Sequence, residues 1–293
     1  MNDLPISGVY CAAVTPVTAD LTPDHAAFVA HCRYLLEEGC NGVALLGTTG
    51  EANSFSTNER KALLDAVVAA DIGADRLLPG TGVAALTETV ELTRHALSLG
   101  VTRVVMLPPF YYKGITDEGL FASYAAIVDR VADARLRVVL YHIPQFSAVP
   151  ITVPVIERLR EQFPGVFIGL KDSSGDFANM EALVQHFPGF SVLAGADPLM
   201  LPLLKQGGAG CITATSNLVA RDLAFIFHHY AEPEHEREVE AAQVRVVAAR
   251  TRVSRFAQIA SVKALVARNT GHPAWRNLRP PLLSLTEAEA AQL

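Results

Sequence analysis

Two patterns alternate along the chain. Short apolar runs, closed by Gly, Pro or Thr, are each followed by a longer stretch whose apolar positions recur at helical spacing. The runs are 9–14, 43–46, 77–80, 103–107, 138–141, 167–171, 191–194 and 210–213. The helical stretches after them are 24–38, 57–70, 86–99, 118–132, 153–162, 178–186, 198–206 and 221–230. Local punctuation supports the boundaries. Thr22-Pro23-Asp24 opens the first helix, with Pro expected just inside its start, and Gly39 closes it. Ser56 and Glu59 form a capping box for the second, and Gly100 stops the third. The runs are nearly continuous in apolar residues instead of alternating. Such strands are buried on both faces, as in a parallel sheet covered by helices. Eight strand–helix units predict an α/β fold, a closed (β/α)8 TIM barrel. A doubly wound open sheet is the alternative, but it usually has fewer strands, and no G-x-G-x-x-G follows the first run. Beyond residue 230 the helical spacing continues over 234–268, breaks at Gly271-His272-Pro273, and ends in a short helix at 286–292 capped by Thr286. The expected organisation is a barrel over 1–230 with a C-terminal helical extension over 231–293 packed on it.

Composition narrows the function classes. Of 293 residues, 50% are hydrophobic and 18% charged, which excludes a disordered chain. The net charge of −6, without a basic run, argues against nucleic acid as a partner. Arg245, Arg250, Arg252 and Arg255 read as one solvated helix face. Cys11, Cys32, Cys40 and Cys211 include no C-x-x-C pair and read as small buried apolar residues in a reducing compartment. Met1 to Tyr10 lacks a basic segment followed by an apolar core, so no signal peptide is expected there. The apolar runs fall well short of the roughly 18 residues of a membrane span. A soluble, cytoplasmic protein with no membrane partner is the expectation.

In such barrels the chemistry gathers at the C-terminal ends of the strands. Lys171 stands where the sixth run meets the barrel mouth. Desolvation there disfavours the ammonium, and a neutral amine can form a Schiff base with a ketone or aldehyde. The plainer alternative is a lysine paired with Asp172. Tyr141 ends the neighbouring run; its hydroxyl can relay protons, or can be a core phenol bonded to backbone. Thr48 and Thr49, in Gly47-Thr48-Thr49-Gly50, offer hydroxyls and amides able to hold a carboxylate, though an ordinary turn has the same look. Ser173, Gly195, Asp197 and Ile212 stand at or near later strand ends. His142 could face either side. His228 and His229, on a late helix, read as surface or packing. No H-E-x-x-H, G-x-S-x-G or phosphate-binding loop occurs.

Five stretches together, Gly47-Thr48-Thr49-Gly50-Glu51, Tyr141-His142-Ile143-Pro144, Gly169-Leu170-Lys171-Asp172, Gly195-Ala196-Asp197 and Arg279-Pro280-Pro281-Leu282-Leu283, resemble the dihydrodipicolinate synthase / N-acetylneuraminate lyase superfamily of class I aldolases. The resemblance implies a (β/α)8 barrel with a helical extension, assembled as a homotetramer, a dimer of dimers. It implies Lys171 as the Schiff-base lysine, Tyr141 as the proton-relay tyrosine, and Thr48 and Thr49 as the pair that orients the substrate beside Gly47. It implies backbone carbonyls of Gly195 and Ile212 lining the site, with Ser173 and Asp197 on the substrate side. Tyr112, or else Tyr111, is implied to reach into a neighbouring subunit's site. The implied partners are pyruvate or a similar keto acid and an aldehyde, with no metal and no organic cofactor.

Two departures bear on the substrate. Dihydrodipicolinate synthases proper carry an arginine two residues after the proline of the Tyr141 motif, gripping the carboxylate of aspartate semialdehyde; here Phe146 stands there. N-acetylneuraminate lyases carry an acidic residue directly after the position of Asp197; here it is Pro198. The expected substrate is a 2-keto-3-deoxy sugar acid or similar hydroxy-keto acid, cleaved or dehydrated. Dihydrodipicolinate synthesis, then N-acetylneuraminate cleavage, then a non-catalytic keto-acid sensor are the alternatives. A metal-dependent class II aldolase is disfavoured, because no cluster of His and carboxylates stands at the strand ends.

Overall fold

The computed structural model describes residues 5–293. Residues 1–4, part of both the expected 1–230 barrel and the N-terminal segment inspected for a signal peptide, lie outside them. Seven parallel strands form one sheet: β1 Gly8–Ala12, β2 Gly42–Ala44, β3 Arg103–Met106, β4 Arg137–His142, β5 Phe167–Asp172, β6 Ser191–Ala194 and β7 Gly210–Thr213. Their order is β2-β1-β7-β6-β5-β4-β3. The expected strand at 77–80 makes only two isolated bridges, Val43 with Leu77 and Gly80 with Val105, and these close the barrel between β2 and β3. The cause is Pro79. Leu78 and Gly80 donate to Val43 and Leu45 of the β2 side at 3.0 and 2.8 Å. The missing N–H of Pro79 therefore falls on the β3 side, where a proline cannot complete a ladder. The fold is a (β/α)8 TIM barrel with one thin stave.

The helices are α1 His25–Glu37, α2 Thr57–Ala69, α3 Leu86–Ser98, α4 Asp117–Val131, α5 Pro144–Ser147, α6 Val153–Gln162, α7 Phe177–His186, α8 Met200–Lys205 and α9 Ser216–His229, then α10 Glu236–Val253, α11 Gln258–Thr270 and α12 Glu287–Ala290. Most fall within a residue or two of the expected stretches. Asp24 caps α1 by accepting from the Ala27 amide, so Pro23 precedes the cap instead of sitting inside the helix. Ser56 and Glu59 make both bonds of the capping box. The single stretch expected over 234–268 is two helices, α10 and α11. None of the described helices is long and apolar enough to cross a membrane.

Strand alternation sorts the core into two layers. Tyr10, Ala12, Val139, Tyr141, Leu193 and Ile212 fill the barrel interior. Val9, Cys11, Val43, Val138 and Cys211 face outward against the helices. The four cysteines are buried and free, as their spacing implied. A third apolar cluster joins α11, Trp275 and Leu285 to Val14 and Ala214 at the ends of β1 and β7, so the C-terminal helices pack on the barrel mouth.

That packing contains a charge pair. Lys263 of α11 and Glu51, both fully sealed from water, meet at 2.6 Å. Lys263 also donates to the Thr15 carbonyl at 2.9 Å. Burial pulls the ammonium of Lys263 below its ordinary value, while the Glu51 carboxylate works in the opposite direction. The Arg279-Pro280-Pro281 segment clamps nearby. Arg279 pairs with Glu59 at the start of α2, donates to the Ser54 carbonyl at 2.7 Å, and lies over the Phe55 ring.

Two outcomes are expected. Lys263→Met leaves a buried carboxylate unpaired and should cost about 3–5 kcal/mol by urea denaturation, with much of the loss recovered in Glu51→Gln/Lys263→Met. The Arg279 guanidinium holds the Glu59 carboxyl at about 2. Because this folded value lies below that of the unfolded chain, the stabilisation is complete above about pH 4.5 and lost as pH falls toward 2. Glu59→Gln should flatten that part of the stability–pH curve by about 1–2 kcal/mol after solvent screening. An unchanged acid limb would contradict the assignment.

Candidate functional site

Lys171 is the penultimate residue of β5. Its register partners are Tyr141 in β4 and Leu193 in β6, so the three side chains share the inner face near the mouth. Lys171 is 6% exposed and Tyr141 4%. The lysine Nζ lies 4.0 Å from the centre of the tyrosine ring. Tyr141 Oη lies 3.3 Å from Thr48 Oγ1. Burial alone would raise the phenol's pKa. The charge of Lys171 and hydrogen bonds with Thr48, Ser173 and Lys171 outweigh it and bring Tyr141 below its ordinary value.

The pairing of Lys171 with Asp172 does not occur. The next residue along a strand faces the other side of the sheet. The Asp172 carboxylate accepts from the Ser174 amide at 2.8 Å, the Ser174 hydroxyl at 2.6 Å and Asn179 Nδ2 at 2.7 Å. His142 faces outward too, its Nδ1 accepting from the Ile151 amide at 3.1 Å. Alternation thus puts amine and phenol in the barrel and their neighbours outside it.

Thr48 reaches Tyr141 because the loop after β2 folds into a tight turn between two left-handed residues, Leu46 and Glu51, each at φ 56°. The Ala52 amide donates to the Gly47 carbonyl at 3.1 Å and closes it. Space beside Gly47 is open, whereas a side chain at Gly50 would strike the Ala13 carbonyl. Thr15 Oγ1 donates to the Gly50 carbonyl at 2.8 Å, and Lys263 holds the Thr15 carbonyl. Thr49 lies in the same turn, half-buried. Gly195 and Ser173 stand side by side across β5 and β6. The Gly195 amide donates to the Asp172 carbonyl at 2.7 Å, and a Cβ on Gly195 would come 2.0 Å from Ser173 Oγ. Ile212 lies in β7 on the inner face.

The remaining expected residues sit elsewhere. Asp197 is completely buried, with neither carboxylate oxygen hydrogen-bonded. It acts electrostatically on Cys11 and Cys211, which belong to the outer layer. Its nearest cation is Arg250 of α10 at 3.9 Å. Arg250 therefore faces the barrel, and the four-arginine face expected to be wholly solvated is not. Phe146 is 70% exposed on α5 at the rim. Tyr111 and Tyr112 are 72% and 73% exposed and pack edge to face, joining neither Lys171 nor Tyr141 within the chain.

Sequence reasoning named Glu51 only as the end of a motif, without a role, and passed over Lys263 and Asn217. Asn217 accepts from the Val14 amide and donates to the Ala12 and Ala214 carbonyls, tying the ends of β1 and β7 together. A lysine within the apolar stretch Ser261-Val262-Lys263-Ala264-Leu265 was the available signal for the buried pair. A cavity of about 610 Å³ lies between α1 and α11, lined by His31, Tyr34, Asn217, Asn269 and Trp275. Burial holds the His31 ring at about 4, so it is neutral, and its Nε2 is bound to Asn217 Oδ1 at 2.8 Å. That cavity contains no nucleophile comparable to Lys171.

A model of the dihydrodipicolinate synthetase family matches residues 5–293. The chain belongs to that family. It is 38% identical over 291 residues to an uncharacterised DapA-like lyase of Chloroflexus aurantiacus, covering 98% of this chain and 94% of that relative. It is 32% identical over 288 residues to the 4-hydroxy-tetrahydrodipicolinate synthase of Corynebacterium urealyticum, covering 97% and 92%. Among solved structures, the dihydrodipicolinate synthase of Agrobacterium tumefaciens str. C58 matches with a TM-score of 0.86 at 30% identity, covering 97% and 96%. The chain is thus an enzyme of the dihydrodipicolinate synthetase family, whose members are lyases and synthases.

Gly195→Ala tests the fit between the two strand-end loops. The added methyl displaces Ser173, and such overpacking should lower stability by about 1–3 kcal/mol. Catalytic efficiency should fall with it, whereas Gly47→Ala, in open space, should leave stability within about 0.5 kcal/mol. Equal melting temperatures for the two variants would contradict the geometry.

Proposed function

We propose that this enzyme forms a Schiff base between Lys171 and pyruvate or a related 2-keto acid, and that it cleaves or dehydrates a 2-keto-3-deoxy sugar acid or similar hydroxy-keto acid. The supporting observation is the contiguous chain from Lys171 to Tyr141 to Thr48, with an amine that no neighbouring aspartate neutralises.

The chemistry follows from those atoms. The unprotonated amine of Lys171 attacks the keto carbon to give a carbinolamine. Tyr141 delivers a proton to the departing hydroxyl, water leaves, and a protonated imine remains. That cation draws electrons from the adjacent carbon. In cleavage, Tyr141 accepts the proton of the substrate's C4 hydroxyl as the C3–C4 bond breaks. An aldehyde departs, and the bonding pair becomes the enamine of pyruvate. Protonation of the enamine and hydrolysis return the free lysine. In the condensing direction the steps reverse. Thr48 holds the phenol in place, and Thr49 with the amides around Gly47 meets the substrate carboxylate. The iminium is the electron sink, so the sequence is written without metal or organic cofactor.

At the rim, Phe146 presents an aromatic face and no guanidinium to a second carboxylate, which supports an acceptor end without charge. A second reading, synthesis from aspartate semialdehyde, is favoured by relatives named 4-hydroxy-tetrahydrodipicolinate synthase. The exposed Tyr111–Tyr112 pair supports a homo-oligomer, a dimer of dimers, in which Tyr112 or Tyr111 reaches a partner's site.

Mass spectrometry after incubation with pyruvate and borohydride tests the lysine. A reduced adduct mapped to Lys171 and missing from Lys171→Ala is expected. Absence of an adduct on the intact enzyme would move a sensor role ahead. Tyr141→Phe should lower kcat about 10²–10⁴-fold with a smaller change in KM. Turnover confined to aspartate semialdehyde plus pyruvate would sink the sugar-acid reading and leave the Schiff base standing.

A further inference from the structure

We propose that His229, Glu232 and His235 form a binding site for one divalent transition-metal ion of the zinc class, at the turn between α9 and α10. Nothing in the aldolase chemistry uses these residues. Helices of a barrel run back against the strands, so the end of α9 lies at the opposite end of the barrel from Lys171. His228, beside it, borders a depression with Ser7, Tyr10, Asn41 and Arg103 at the N-terminal ends of the strands.

Local folding brings the three side chains together. His229 is the last residue of α9 and His235 the residue before α10. The Glu232 amide donates to the His229 carbonyl at 3.0 Å, and the His235 amide to the Glu232 carbonyl at 3.0 Å. These two short turns fold the H-x-x-E-x-x-H segment so that one donor atom from each side chain lies within 4.8 Å of the others. Both imidazoles converge on a single carboxylate oxygen: His229 Nδ1 is 2.5 Å and His235 Nε2 3.7 Å from Glu232 Oε2. Phe225 backs the pair, its ring 4.6 Å from that of His229 and 5.8 Å from that of His235. Two imidazoles and a carboxylate are the donor set that suits zinc and its neighbours, at bond lengths of about 2.0–2.2 Å. Tetrahedral binding at those lengths places donor atoms about 3.3 Å apart. The carboxylate and the 3.7 Å imidazole are already close to that spacing. The other imidazole moves outward as the metal replaces the proton it shares with Glu232.

The bound ion would staple the last barrel helix to α10. Gln243 of α10 donates to the Pro198 carbonyl at 2.9 Å, and Arg250 of α10 faces Asp197. Metal occupancy at one end of the molecule therefore bears on the helix that backs the β6 loop at the other.

The test uses the intact chain without an affinity tag. Zn²⁺ is titrated in competition with a chromophoric chelator, and Co²⁺ is followed by its visible absorption. The four cysteines are buried and do not compete. One ion per chain is expected, with a Co²⁺ spectrum of four- or five-coordinate character. His229→Ala, Glu232→Gln and His235→Ala should each weaken binding at least about tenfold, and Zn²⁺ should raise the melting temperature of the intact protein but not of His235→Ala. His228→Ala should bind as the intact protein does. The three residues are partly exposed, and matching circular dichroism will show that the variants fold. Binding unchanged in all three variants, no saturable binding, or loss only in His228→Ala would each overturn the site.

Discussion

Everything at the barrel mouth leans on one buried charge pair. Glu51 closes the turn that carries Thr48 and Thr49, and it does so from a left-handed conformation that L-residues avoid. What holds it there is Lys263, reaching in from a helix that follows the eighth strand position. The same ammonium takes the Thr15 carbonyl, and Thr15 in turn accepts no freedom, since its hydroxyl is bound to Gly50. Two loops thus converge on one cation. An apolar pair of equal volume would be as stabilising, because removing two charges from water cancels most of their attraction. The weight of the pair is in position: its charges are satisfied in one geometry only, and that geometry puts Thr48 Oγ1 at Tyr141.

The chain buries two lysines and treats them in opposite ways. Lys263 receives a carboxylate and a carbonyl. Lys171 receives the face and hydroxyl of a phenol, while the aspartate next to it is turned outward and saturated by Ser174 and Asn179. The difference is set by strand alternation. One residue's shift in β5 would place Asp172 inside the barrel and Lys171 among the helices. The register, which pairs Lys171 with Tyr141 in β4 and with Leu193 in β6, keeps Asp172 on the outer face. The same cation that makes an electrophile-seeking amine when deprotonated also draws the phenol of Tyr141 toward ionisation.

Much of this was legible in the sequence because it is local. Continuous apolar runs ending in Gly or Thr gave the parallel strands, and caps such as Ser56 with Glu59 gave helix starts to within a residue. The third stave was legible as a run but not as a weak ladder, since its weakness depends on which side Pro79 faces. Lys171, Tyr141 and Thr48 were legible as strand-end residues. Asp197 was not placed by its motif: a residue three steps past a strand end can turn to either layer, and here the outer layer and Arg250 take it. The partner of Lys263 was not legible for a similar reason. It lies more than two hundred residues away, and no periodicity connects the two.

A gradient of constraint runs from the floor of the site to its rim. At the floor each polar group has a fixed neighbour, and a methyl added at Gly195 would collide. At the rim Phe146, Tyr111 and Tyr112 stand exposed, held mainly by their own backbone. In the reaction proposed above, the carbon that becomes the enamine is bound at the floor, so that chemistry is common to any substrate that fits. The other end of the substrate meets the rim, where a single change between a guanidinium and an aromatic ring reverses the preference for charge. A barrel of this kind can therefore keep its reaction while exchanging its aldehyde, and Phe146, in place of the arginine that the resemblance implied there, lies where that exchange would be made.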